Sequence, residues 1–257
     1  MGADRQLGRC RGSTPYRPRG DRSGEGGEVL SPVAAWRWCA LAGIATTVAS
    51  IAFGWIAGLT PCGPTGGLGS IIAFELARSP AEVATIFGAG ACCETLVAAQ
   101  IKALWLDGLA FIPSYTAFLI LAAMAVRGSA PRLARAAIAI VVVAGLFDEI
   151  EGGLLYAILR DLPGSPTLIA LLYGEVRAKF ALLALGALLI GWLMARERRP
   201  GMVVAIPVIG GSLFSAALIV ANMHAPALMQ GYRWSWTALL IAALIGSFWP
   251  RAFSRAP

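Results

Sequence analysis

The stretch GLFDEIEGGLL, residues 145–155, sets Asp148, Glu149 and Glu151 between the apolar runs AAIAIVVVA and LLYAIL. An ionised acid near a bilayer centre costs about 2.5–3.5 kcal/mol on insertion scales, so these carboxylates require partners, protons or water. Asp148 and Glu151 are three residues apart and share one helical face, whereas Glu149 points about 100° away from Asp148. Two other segments carry ionisable groups into apolar surroundings. LWLDGLAFIPSYTAFL supplies Asp107, with Tyr115 two turns further on and Pro113 freeing a backbone carbonyl where the helix bends. YGEVRAKFALL supplies Glu175 and Lys179 one turn apart on one face, with Arg177 on another. Lys179 is expected to neutralise one carboxylate, Asp148 or Glu151, while a second acid shares a proton or faces a water-filled pocket. Acids this close titrate as a coupled pair. Such a set suits acid/base work. A neutral Asp148 or Glu151, with Asp107 nearby, would donate a proton, and an ionised carboxylate would stabilise a cation or take the proton back.

The elements that must position these groups are membrane helices. Of 257 residues, 58% are hydrophobic and 14% charged, and the mean hydropathy is +0.71, far from the balance of a soluble domain. An open sheet cannot satisfy its backbone in lipid, so helices follow. Runs of about twenty apolar residues, each able to cross a hydrocarbon core of about 30 Å, place six spans near 39–59, 103–126, 136–158, 167–195, 202–222 and 233–249. GGLGSIIAFELA, 66–77, is too short to span and carries Glu75, so it is expected to be interfacial or re-entrant. With the N-terminus inside, fifteen of the 21 basic residues fall in cytoplasmic segments, among them Arg37, Arg127, Arg132, Arg135, Arg196 and Arg199. Both termini are therefore expected in the cytoplasm. The domain plan is a disordered Arg/Gly/Pro-rich tail over 1–35, one transmembrane helical domain over 36–250, and a short tail over 251–257. The net charge of +7 follows largely from the arginine bias and says little for nucleic acid.

On this plan Glu151 sits about 10 Å and Asp148 about 15 Å beneath the outer end of the third span, and Asp107 about 6 Å beneath the same surface. Between the first two spans, SPAEVATIFG reads as a helix start: Ser79 as N-cap, Pro80 at the first position, Glu82 completing a capping box. Its apolar Val83, Ile86 and Phe87, with Leu96 further on, suggest a helix lying flat at the outer interface, forming with Glu75 a lid over the polar cluster.

Other signals are weak. The cysteines at 10, 39, 62, 92 and 93 form an odd set without metal-ligand spacing, so neither a disulfide framework nor a zinc site is expected. LTPCGPTGG, 59–67, resembles the Pro-Cys turns of membrane thiol carriers, but those need a second redox cysteine in a matching helix, and none is expected here. His224 is the only histidine, which excludes the usual multi-histidine metal and haem sites and reads as an ordinary loop residue. Gly54 and Gly58 form a G-x-x-x-G near the end of the first span. No phosphate loop, dinucleotide fingerprint, G-x-S-x-G or H-E-x-x-H occurs, and no cofactor is expected.

IIAFELARSPAEVATIFG (71–88), ALWLDGLAFIPSYTAFL (103–119) and FDEIEGGLL (147–155) together resemble a group of small bacterial polytopic membrane proteins with no known activity. That group carries an F-E-L-A segment, an L-D-x-x-F helix start and a D-x-x-E-N motif, usually with a lysine in the next span. The resemblance covers roughly 66–195 and implies Glu75, Asp107, Asp148, Glu151 and Lys179 as shared polar positions. Gly152 stands where the pattern has Asn.

The function expected from these readings is an inner-membrane helical bundle whose acid/lysine site near the outer leaflet binds a small apolar or lipid-like molecule. Asp148, Glu151 and Asp107 would carry any proton transfer; Glu75, Tyr115, Glu175 and Lys179 would line the site. The alternative is a non-catalytic membrane partner or assembly factor, whose polar cluster only fastens helices and whose surface glycines and alanines dock a second copy or another bundle. A proton-coupled carrier is the third reading, weakened by the lack of a repeat and of a matching cytoplasmic site.

Overall fold

The computed structural model describes residues 30–197, 199–249 and 253, and among these the chain is helical throughout with no strand. Three helices open on a Ser-Pro pair. Ser31, Ser79 and Ser165 each accept a hydrogen bond from the backbone N–H three residues on, and the following proline takes a position where its missing N–H costs nothing. These caps start α1 (Pro32–Phe53), α3 (Pro80–Phe87) and α7 (Pro166–Ala195). Between α1 and α3 lies the six-residue α2 (Ser70–Glu75). After α3 come α4 (Gly90–Leu106), a π-helical turn (Asp107–Phe111) and α5 (Ile112–Ala125), which run on as one continuous rod. α6 (Pro131–Arg160), α8 (Arg199–Ala221) and α9 (Leu228–Phe248) complete the set.

Four rods are long and apolar enough to cross a membrane: Pro32–Phe53, Gly90–Ala125, Pro166–Ala195 and Arg199–Ala221. Large apolar side chains cover their outer faces, including Leu41, Ile44, Val48, Val203, Ile206 and Val220, all exposed. Water would penalise such a surface; hydrocarbon would not. In space the long helices neighbour one another in the order α1, α5, α6, α7, α8, α9 and back to α1, a closed ring around a shared interior.

Several boundaries depart from the reading of the sequence. α1 begins at Pro32, inside the segment expected to be a tail, and ends at Phe53 rather than near 59. Gly54 caps it and Gly58 lies past the helix end at φ +82°, close against Thr95 and Ala99 of the later α4, so this G-x-x-x-G is not a face of one helix. The second rod starts at Gly90, not near 103, which moves Asp107 from the first turns of a helix to its middle. α4 contributes 17 residues before Asp107, about 25 Å of rise. The expected flat helix is two elements: α3 stops at Gly88, at φ +63°, and Leu96 belongs to α4. The capping box is partial, because Glu82 Oε2 accepts from the N–H of Arg78 rather than of Ser79. Residues 1–29, 250–252 and 254–257, which hold most of the two expected tails, lie outside the described residues.

Close helix contact occurs instead between α8 and α9. Gly211 and Gly231 face each other so tightly that a Cβ on either would strike the other's carbonyl oxygen, and Ser215 and Ser235, four residues after each glycine, complete the seam. Small residues four apart let helix backbones meet where lipid gives no hydrophobic drive for association. Ser215 Oγ donates to the Leu228 carbonyl and Ser235 Oγ to that of Val208, fastening the crossing.

A disulfide joins Cys62 to Cys92, contrary to expectation. The second cysteine of this pair lies in α4, in a stretch read from sequence as an interfacial linker. The bond ties the turn after α1 to the start of the second rod and closes a loop that contains α2 and α3. With a sequence separation of 30, its removal should cost about 3–4 kcal/mol in the chain-entropy picture.

Two outcomes follow from this packing. Gly231→Ala is expected to lower stability by about 1–3 kcal/mol through overpacking, whereas Gly210→Ala, with no atom within 4 Å of its Cβ position, leaves thermal unfolding in detergent unchanged. Cys62→Ser is expected to lower the unfolding temperature of the oxidised protein and to abolish its sensitivity to dithiothreitol, while Cys93→Ser, at a free cysteine, does neither.

Candidate functional site

Glu75 ends α2, and the helix is held in place from several sides. Ser70 Oγ donates to the Leu59 carbonyl, and Phe74 meets Phe87 of α3 edge-on at 4.9 Å between ring centres. Beyond it, His224 in the α8–α9 connection bridges two groups of the chain that leaves α2. Its Nε2 lies 2.9 Å from the Leu76 carbonyl oxygen and its Nδ1 lies 2.7 Å from Arg78 Nη2. The arginine can only donate, so Nδ1 accepts and the proton resides on Nε2. His224, read from sequence as an ordinary loop residue, thus tethers the Glu75 segment to the α8–α9 connection.

Held this way, Glu75 reaches the interior beside residues of α6 and α7. Lys179 Nζ lies 2.6 Å from Glu151 Oε2, 3.0 Å from Asp148 Oδ1 and 3.4 Å from Glu75 Oε2. The Asp148 and Glu75 contacts are aligned as hydrogen bonds, and the Glu151 contact is an ion pair off that alignment. Glu151 is 1% exposed, Lys179 4%, and Asp148 and Glu75 5% each, so water reaches none of them freely. Tyr115 donates its hydroxyl proton to Asp148 Oδ2 at 2.6 Å. One ammonium therefore serves three carboxylates. Full ionisation would leave excess negative charge in a poorly solvated enclosure, a costly state unless a proton or another cation enters.

Except for Glu151, the cluster lines a cavity of about 430 Å³. Asp107, from the π turn, lines it together with Glu75, Asp148, Tyr115 and Lys179. Short π segments inside α-helices recur at functional sites, since the extra residue re-aims a side chain. Phe111, Phe118, Phe180, Tyr232 and Trp236 supply aromatic walls. Asp107 also borders a second hollow, of about 480 Å³, between the π turn and α6, where exposed Glu149 lies beside Gly108, Gly152 and Gly153.

The structure brings together Glu75, Tyr115, Asp148, Glu151 and Lys179, with Asp107 on the same cavity wall. Glu175 does not join them. It sits a turn before Lys179, forms no ion pair among the described residues, and does not line the cavity. Lys179 turns inward to three acids from other segments, and its own helical neighbour is left out. The lid also differs from expectation: α3 does not line the cavity but braces α2, whose Ile71, Ile72 and Glu75 do.

Half the wall escaped the sequence reading. Thr46, Thr47 and Ser50 of α1 form a hydroxyl stripe, and Tyr232, Arg233, Trp236 and Thr237 of α9 face it. The signals were present as TT-x-x-S inside an apolar span and as GYRWSWT at the start of the last one. Tyr232 donates to the Phe180 carbonyl at 2.6 Å, while the buried Trp236 Nε1–H has no acceptor among the described residues. No family model, curated protein or solved structure matches the chain.

Replacing Lys179 with Met should strand three buried carboxylates and cost about 3–5 kcal/mol, seen as a large drop in unfolding temperature in neutral detergent. Glu175→Gln, outside the cluster, is expected to leave that temperature within the error of wild type.

Proposed function

We propose that this chain is a six-span membrane protein whose cavity between the helices binds a small amphiphile and presents it to an acid/lysine site able to move protons. The observation that carries the reading is the cavity itself: a chamber of about 430 Å³ with aromatic and aliphatic walls and a few polar and charged groups among them, Glu75, Asp107, Asp148 and Lys179 included. Sites for small lipid-like molecules are built this way, with apolar walls for affinity and a few fixed polar groups for orientation. A cluster that served only to fasten helices would need no such space beside it.

α6 and α9, 30 and 21 residues long, are taken as the remaining spans, since the closed ring leaves them no other medium. The arginine bias supports a cytoplasmic position for both termini, which puts residues 54–89 and the loops 161–165 and 222–227 on the opposite side. Cys62 and Cys92 then fall on the outer face, and their disulfide suits an oxidising compartment. The contacts of His224 with Leu76 and Arg78 join two segments of that same face, as the topology requires. The bacterial inner membrane is the setting that the resemblance of the F-E-L-A, L-D-x-x-F and D-x-x-E segments supports. On this reading α2 is a re-entrant element that dips Glu75 into the outer half.

Asp148 is placed for a proton relay. It accepts from Tyr115 on one oxygen and from Lys179 on the other, so a proton that reaches Asp148 enters a hydrogen-bonded chain linking it to both donors. Asp107, on the open wall, is the acid free to face a ligand.

Mass spectrometry of the protein purified in mild detergent is the direct test. One class of amphiphile should accompany the wild type and be displaced by Thr237→Trp, which fills the cavity without touching the cluster, with the unfolding temperature preserved. Wild type that carries no such molecule, or the same molecule retained in Thr237→Trp, would refute the cavity as its site.

A further inference from the structure

We infer that the amphiphile carries a compact positive charge, as an alkyl tertiary or quaternary ammonium does, seated between Asp107 and the aromatic wall. This rests on the reading of the cavity as a binding site and adds the chemistry of its occupant.

Charge balance points first to a cation. Glu75, Asp148 and Glu151 already share Lys179, and Asp107 has no hydrogen-bond or ion-pair partner among the described residues. Arg233 is the other cationic residue on the cavity wall. It is exposed, in the second turn of α9, where its long stem lets the guanidinium reach the aqueous boundary. The carboxylates on the cavity wall and in the cluster behind it thus outnumber the cations there, and Asp107, without a partner among the described residues, borders the empty volume.

The walls point the same way. Phe111, Tyr115, Trp236, Tyr232 and Phe180 form a connected chain of rings, with successive centres 5.4, 5.3, 6.3 and 5.7 Å apart from Phe111 to Tyr115, to Trp236, to Tyr232 and to Phe180. Ring faces carry the negative part of the aromatic quadrupole and attract ammonium groups, most strongly where water is excluded. The protein's own ammonium already uses this surface: Lys179 Nζ stands 4.7 Å from the centre of the Phe180 ring. Neutral lipid would gain nothing from such a box beyond burial. Beyond the rings, Ile71, Ile72, Leu183, Met229 and Leu240 offer an aliphatic lining for a hydrocarbon tail.

The test uses the full chain in maltoside detergent, delipidated and then offered three probes at equal concentration. These are decyltrimethylammonium, its neutral isostere 2,2-dimethyldodecane, and decanesulfonate, with bound probe counted by native mass spectrometry. Wild type should hold the ammonium at least tenfold better than either competitor. Asp107→Asn should lose that preference with its unfolding temperature intact, Trp236→Leu should lose it too, and Trp236→Phe, which keeps a ring face, should retain it. Equal retention of the neutral isostere, or preference for the sulfonate, would overturn the positive charge and leave the cavity reading standing. Failure to hold any probe, with Thr237→Trp indistinguishable from wild type, would overturn both. Asp107 borders open volume and makes no side-chain hydrogen bond or ion pair among the described residues, so its variant remains informative even where Trp236→Leu does not fold.

Discussion

A single buried ammonium shared among three carboxylates organises this protein. Lys179 draws its partners from α2 and α6, and the acids on them lie 31, 28 and 104 residues away in the chain for Asp148, Glu151 and Glu75. Removing each charged group from water costs several kcal/mol, and mutual attraction offsets that cost only where geometry is good and the remaining lone pairs are satisfied. The rest of the architecture supplies that geometry. Ser-Pro caps fix where α1, α3 and α7 begin; Tyr115 occupies the second oxygen of Asp148; and α3, the disulfide and His224 together hold α2 where Glu75 can arrive.

The same arrangement explains why the molecule contains an open chamber. Glycine and serine contacts pack α8 closely on α9, while the bulky rings of Phe111, Phe180 and Trp236 line the chamber between the helices. Its exterior carries many exposed apolar side chains, and its interior, apolar for the most part, holds the buried charges. Hydroxyls on α1 ease the desolvation of that interior without adding charge: Thr46 and Thr47 bond back to carbonyls of their own helix, and Thr46 also donates toward Ser114.

Much of the cluster was legible in the sequence because charge inside an apolar span is expensive wherever it occurs. Asp148, Glu151 and Lys179 could be paired from spacing and depth alone, and Tyr115 could be set beside them. Glu175 misled, because proximity along a helix does not decide which way a lysine turns when stronger partners lie across the interior. Depth at Asp107 misled as well: the polar residues Glu94, Gln100 and Lys102 made the early part of the second rod look like a linker, and with it went the significance of Cys92. The α9 wall was illegible for another reason. Aromatic residues are common at span ends, so nothing in the types of Tyr232 and Trp236 marks them out, and only tertiary placement puts them on the same cavity wall as the acids.

Whether these groups truly converge is decided most directly by a double-mutant cycle between Glu75 and Lys179, 104 residues apart and brought together by nothing but the fold. Thermal unfolding of Glu75→Gln, Lys179→Met and the double variant would be compared in one neutral detergent. Residues in contact should show a coupling of about 0.5–3 kcal/mol, and effects that add to within about 0.5 kcal/mol would mean that the two side chains do not meet.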